Sequence, residues 1–296
     1  MKTTDLESQI DSISQARLDR RKFFRQAGYF GLGAAASGIA LTATPARAQS
    51  NTFQTRDTTA EILTAFLIAE GLASTFYYNG LVGAVIQDVN LAGPGGSATN
   101  VTSQGNAGNV DYLRAALYQE IQHASLFRNL VFPGKYTQTT LDPYQTFYFP
   151  AGTFDTLTNF LGILDALENA FIGAYINVVQ EFAVKAALSA AGKLTGPDAA
   201  YSTQQYEIFA KAAASILGVE CEHRVLGRVI GNENPANNYT YEQLDGLQSI
   251  YNGPHSAVVA LTPFLTSTTG PGYSLQTAYL HARYVETPTT GSVIVS

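Results

Sequence analysis

Apolar residues recur every three to four positions in four long stretches between residues 58 and 230, the pattern of helices with one face turned to a core. The first helix is predicted over 58–87, with Ile62, Leu63, Phe66, Leu67, Ala73, Tyr77 and Leu81 on its stripe. The second, 110–131, carries Leu113, Ala116, Leu117, Ala124 and Phe127 and stops at Pro133-Gly134. The third starts behind Thr153 and runs over 154–190 through Leu157, Leu161, Leu164, Phe171 and Tyr175. The fourth, 198–230, holds Tyr206, Phe209, Ala213, Ile216 and Ile230, with Gly231 as its stop. The connection 88–109 is rich in Gly, Asn and Ser. The connection 132–152 is longer than the roughly two to eight residues usual between neighbouring helices of a bundle. An all-α four-helix bundle with one long crossover between its second and third helices needs such a segment. Residues 232–296 are broken by Pro and Gly. They are read as an irregular C-terminal extension with short helices near 241–251 and 255–262 and strands or coil beyond, packed on the bundle or on a neighbouring subunit.

Each apolar stripe is interrupted by one glutamate: Glu70, Glu120, Glu168 and Glu220. Two of these begin a Glu-x-x-His pair, Glu120 with His123 and Glu220 with His223. Residues three apart on a helix are neighbours, so glutamate and imidazole share a face. A carboxylate is costly in an apolar core, and four together need positive charge. Two divalent cations would supply it, and carboxylate oxygen with imidazole suits iron, manganese or zinc. Glu, ExxH, Glu, ExxH is the ligand order of a two-metal carboxylate site in a four-helix bundle. Glu70 and Glu120 are 50 residues apart and Glu168 and Glu220 are 52 apart, a weak internal repeat of helix pairs. The structural alternative is a buried polar layer in which these glutamates pair with the histidines or with Arg114 and Arg228. Tyr77 and Tyr175 each lie seven residues after a glutamate of their own helix, as hydrogen-bond donors, redox-active phenols or plain core tyrosines. Glu61, Glu181, Glu207 and Glu222 are read as exposed, and His255 and His281 as structural or surface residues.

The N-terminus changes the picture of where such a site would work. Arg20-Arg21-Lys22-Phe23-Phe24-Arg25, an apolar small-residue run over 28–43 and Ala46-Arg47-Ala48 form a twin-arginine signal peptide over 1–48, in the order and spacing of a cleaved leader. The domain reading is 1–48 signal, 49–231 bundle and 232–296 extension. It makes the protein periplasmic or secreted, with no stable membrane insertion after cleavage and no other stretch approaching a span. Removing seven of the 17 Lys and Arg and four of the 23 Asp and Glu with the signal leaves 10 and 19, a net charge of −9. Nucleic acid is not a partner for such a surface. Cys221 is the single cysteine, so no intramolecular disulfide forms, and it is read as a small buried hydrophobe. The chain after the signal has no Met and no Trp, which removes oxidisable side chains.

Ile68-Ala69-Glu70-Gly71 through Phe76-Tyr77-Tyr78, Tyr118-Gln119-Glu120-Ile121-Gln122-His123, Glu168 with Gly173-Ala174-Tyr175, and Ile216-Leu217-Gly218-Val219-Glu220-Cys221-Glu222-His223 resemble the ferritin-like superfamily. More narrowly, the chain is similar to bacterial exported ferritin-like proteins akin to plant desiccation-related proteins and fungal stress-response relatives. The resemblance covers 58–231. It implies a di-iron or di-manganese centre on Glu70, Glu120, His123, Glu168, Glu220 and His223, and a chemistry of iron storage, peroxide reduction or oxygen activation. Gly71 and the extended connections depart from the family pattern and bear on access to the site. Two functions follow as expectations. One is an oxidoreductase, ferroxidase-, peroxidase- or catalase-like, that reacts with O₂ or peroxide in oxidative or desiccation stress. The other is a non-catalytic stress or envelope protein on the same scaffold. A homodimer is compatible with both.

Overall fold

The computed structural model describes residues 57–83, 86, 107–235, 250–253 and 256–286, with backbone alone for 107–111 and 281–286. The signal segment, the connection 88–106, the predicted helix near 241–251 (up to 249) and His255 lie outside the described residues. Six α-helices are present among them: α1 (Thr59–Val82), α2 (Ala107–Val131), α3 (Leu157–Ala190), α4 (Thr203–Ile230), α5 (Ala257–Leu265) and α6 (Leu275–Glu286). The protein is an all-α helical bundle. Helix α1 packs along α2 and α3 along α4, and contacts of α1 with α3 and of α2 with α4 join the pairs.

Local chemistry sets the helix ends. Thr58 and Glu61 form a reciprocal capping box at the start of α1. Ser202 and Gln205 do the same for α4. The predicted starts of α3 and α4 were early. Thr153 bonds the Pro150 carbonyl, and Thr156 caps α3 instead. Residues Gly196–Ala200, with Pro197, form a separate 3₁₀ turn before Ser202. Helix α1 ends at Val82 rather than near 87, because Gly83 turns to extended backbone against Phe154.

The C-terminal extension is more ordered than its Pro and Gly content suggested. Strand β1 (Thr146–Tyr148) in the crossover pairs antiparallel with β2 (Gly272–Ser274), Phe147 opposite Tyr273. Helix α6, which was not predicted, packs against α1 and α2. The tail and crossover therefore clasp each other over one side of the bundle. Gly71 faces this layer, but a Cβ there would meet the Phe147 ring at 3.4 Å and a Leu275 methyl at 3.7 Å, ordinary contact, so the approach does not depend on the glycine.

By length and composition, α1 and α3 are apolar enough to cross a membrane, which corrects the expectation that no such stretch exists after the leader. In α1 the apolarity goes into the core, where most of the helix is buried. Two aromatic clusters flank the ligand-bearing layer. Phe66 stacks on Tyr175 at 4.2 Å and on Phe127 at 5.3 Å between ring centres. On the other side Phe76 stacks on Phe160 at 4.8 Å, beside Phe149 and Phe154. Gly80 makes that second cluster possible, since a Cβ there would sit 2.2 Å from the Phe160 ring. Gly80→Ala is expected to cost about 1–3 kcal/mol, as overpacking does. It should lower the urea midpoint without changing the slope, and an unchanged midpoint would show that Phe160 has room to move.

Candidate metal centre

The six candidate ligands come from four helices and meet in the buried middle of the bundle. Glu70 and Glu168 lie on α1 and α3, Glu120 and His123 on α2, and Glu220 and His223 on α4. They form two overlapping groups. Glu70, Glu120, His123 and Glu220 offer one ligand atom each within 4.8 Å of one another, and so do Glu120, Glu168, Glu220 and His223. Glu120 and Glu220, the first residues of the two ExxH pairs, belong to both groups. The weak sequence repeat thus becomes an approximate two-fold arrangement, with shared carboxylates in the centre and a Glu/His pair on each side.

The imidazoles turn Nδ1 inward. His123 Nδ1 lies 3.3 Å from Glu70, 3.5 Å from Glu120 and 3.5 Å from Glu220. His223 Nδ1 lies 2.9 Å from Glu120, 3.6 Å from Glu220 and 3.8 Å from Glu168. Both oxygens of Glu120 and of Glu220, Oε2 of Glu168 and Nδ1 of both histidines are buried without a hydrogen bond. Even the 2.9 Å approach of His223 to Glu120 is not in hydrogen-bond geometry. Buried polar groups are almost always paired, so seven orphaned atoms converging on one space fit divalent cations. The polar-layer alternative would pair these atoms with one another; the imidazoles lie 2.9–3.8 Å from the carboxylates but leave the seven atoms without a hydrogen bond. Arg228 is engaged elsewhere, with Asp165 at 3.1 Å.

Charge and burial push the protonation states apart. Burial, then the neighbouring Glu120 charge, raises the Glu70 carboxyl to about 8. Burial and the Glu220 charge push Glu168 well up, and burial with Glu120 and Glu70 does the same to Glu220. Burial opposes the charge of Glu120 too, but His223 and His123 outweigh it and hold that carboxyl well below its usual range. Burial also disfavours the imidazolium of His123, yet Glu70 and Glu120 raise it well above the ordinary value. Without metal, the site keeps protons where cations would sit.

The two tyrosines are not plain core residues. Tyr77 of α1 donates to Glu168 of α3 at 2.7 Å, and Tyr175 of α3 donates to Glu70 of α1. Each phenol therefore reaches the glutamate of the other helix pair. Burial, then the facing glutamate charge, pushes both phenols well up, so each stays a donor. Gln119 went unnoticed in the sequence: its Oε1 lies 2.8 Å from His223 Nε2 and fixes that ring with Nδ1 inward. Its position next to Glu120 was the only signal. Glu181, read as exposed, is buried. It accepts from the Asp57 amide and lies beside buried Lys185, which also binds Asp198. Cys221 is half-buried rather than buried, and Glu222 and Glu207 are exposed as expected.

A helical bundle whose core holds two overlapping Glu/His ligand sets defines a ferritin-like protein compatible with metal binding. The family model for the ferritin-like domain matches residues 58–205, and the chain belongs to that family. The match ends before Glu220 and His223, which the fold brings together with the others. No curated protein and no solved structure matches the chain.

Proposed function

We propose that the protein is an exported two-metal oxidoreductase that reacts with O₂ or peroxide and protects against oxidative or desiccation stress. Glu70, Glu120, His123, Glu168, Glu220 and His223 would hold two divalent ions, iron or manganese. The observation that carries this reading is the convergence of seven orphaned, fully buried ligand atoms on one space. When bound, such ions supply the electrons that an O–O bond needs. The chain's own residues set the conditions. Glu120 and Glu220 are placed to be shared between the two positions, and Glu70 and Glu168 each serve one. Tyr77 and Tyr175 orient those outer carboxylates, because each hydroxyl donates to one of their oxygens. Gln119 keeps His223 in the tautomer with a free Nδ1. The surrounding Phe and Leu side chains exclude bulk water. Export rests on the twin-arginine signature and cleavage site in 1–48. It would make the protein periplasmic or secreted, and the route suits a centre loaded before export.

Metal analysis of the exported protein tests this first. About two iron or manganese ions per chain are expected, with loss of both in Glu120→Ala, because that carboxylate belongs to both ligand groups. The same preparation should consume peroxide or O₂, and the variant should not. Wild-type protein that emerges metal-free and refuses added Fe²⁺ and Mn²⁺ would sink the proposal.

A further inference from the structure

The outer side of α4 carries a second periodicity, distinct from the one that faces the core. From Gln204 to Val229, alternating steps of four and three residues reach only exposed positions. That spacing is the 3.5-residue repeat of a helix that pairs with another helix. Helix α4 packs along α3 and meets α2, and this stripe is left on its solvent side. Scattered apolar residues on a surface are ordinary. Here Ile208, Val225 and Val229 stand on one line, at 54%, 38% and 52% exposure.

The stripe is complementary to itself. Turned end over end about a point between Ser215 and Gly218, it sets Ile208 against Val225, Lys211 against Glu222 and Ser215 against Gly218. An interface between two copies related by a two-fold axis has this property: where one residue meets a second, the second meets the first. Lys211 and Glu222 are 11 positions apart on one helix. That is about 16 Å along its axis, too far for a pair within one chain. Across the axis they meet twice. The positions flanking the stripe on the α2 side, Ala212, Val219 and Leu226, bring no charge that would repel.

Gly218 is an independent sign. Glycine inside a helix destabilises it relative to alanine. A Cβ at Gly218 would meet nothing within 4 Å, so the chain's own packing does not call for the missing side chain. A second helix crossing at that point does.

We propose that two copies of the protein associate through α4, antiparallel, about a two-fold axis between Ser215 and Gly218. Burial of Ile208, Val225 and Val229 drives the contact. The two Lys211–Glu222 pairs set its register, since exposed ion pairs contribute more to specificity than to affinity. None of these residues is a candidate ligand, so the proposal stands apart from the metal reading. The contact backs the helix that supplies Glu220 and His223.

Sedimentation of the exported protein tests it. A dimer is expected at micromolar concentration. Lys211→Glu and Glu222→Lys should each weaken it about tenfold, because symmetry turns one substitution into two lost pairs and two like-charge contacts. The double variant Lys211→Glu with Glu222→Lys should restore the dimer, and so should an equal mixture of the two single variants. Gly218→Gln, for which its own chain has room, should give a folded monomer by circular dichroism and sedimentation. Wild-type protein that stays monomeric across the micromolar range would overturn the proposal. A dimer that the single substitutions leave intact would do the same. So would one that they weaken and that the mixture does not restore, because another face or another occupant of the stripe would then be at work. If the double variant does not fold, the mixture alone decides.

Discussion

Metal-free protein is expected to lose stability as pH rises from about 4.5 to about 8, and metal-loaded protein to gain it over the same range. The window comes from Glu70, whose carboxyl moves from 4.5 to about 8 in the folded chain. A group raised by folding binds more protons in the native state than in the unfolded one, so its stabilising contribution is complete below 4.5 and disappears as pH passes the folded value. Glu168 and Glu220 are raised in the same direction, chiefly by burial and neighbouring carboxylates. His123 and His223, raised by their glutamates against the effect of burial, add to the loss at higher pH. Glu120 alone is lowered, and its contribution changes only below 4.5. Metal reverses the slope, because cations displace these protons and bind more tightly as they leave. At a free concentration about 100-fold above Kd, each site adds about 2.7 kcal/mol. In a domain of this size that is roughly 2–4 °C per kcal/mol. Tm measured across this range in chelator and in excess Mn²⁺ should give two lines that diverge with pH. Parallel lines would mean that the cation does not occupy the protonated cluster.

Arg128→Met is expected to destabilise the fold by about 3–5 kcal/mol, as breaking one side of a buried ion pair does. Arg128 is fully buried near the end of α2. Its Nε and Nη2 each donate to Asp142 at 2.6 Å, Nη1 donates to the Tyr136 carbonyl, and Nη2 donates to the Tyr279 hydroxyl. The guanidinium also lies over the Tyr279 ring at 5.0 Å. One side chain thus ties α2 to the crossover and to α6. Removing it leaves the Asp142 carboxylate buried without its cation, and burial already raises that carboxyl. The double substitution Arg128→Met with Asp142→Leu should recover most of the loss, because it removes the stranded charge as well. Chemical denaturation of the three variants beside wild type decides it. A double variant no better than Arg128→Met would show that packing around the arginine, not the charge, is what counts.

The bundle was legible because its helices follow the 3.6-residue period over twenty or more residues. The candidate ligands were legible because carboxylates on apolar stripes are conspicuous. What escaped notice depends on partners far along the chain. Glu181 sits on a helix face that looks solvated from its neighbours, yet it meets Asp57, 124 residues away. Helix α6 follows Gly270 and Pro271, which read as breakers, and its docking against α1 and α2 supplies what its own sequence does not. Arg128 resembles any basic residue in a last helical turn until Asp142 folds over it. The tyrosines were found as a pair, but their crossing from one helix pair to the other is a property of packing and has no local signature.

The approximate two-fold arrangement is unequal at its edges. The His223 side chain is 3% exposed and held from behind by Gln119, whereas the His123 side chain is 11% exposed. Under the proposed loading, a protein given one equivalent of metal fills the seat of Glu168 and His223 first. The seat of Glu70 and His123 would be the one that exchanges, so order of addition is expected to give mixed-metal forms.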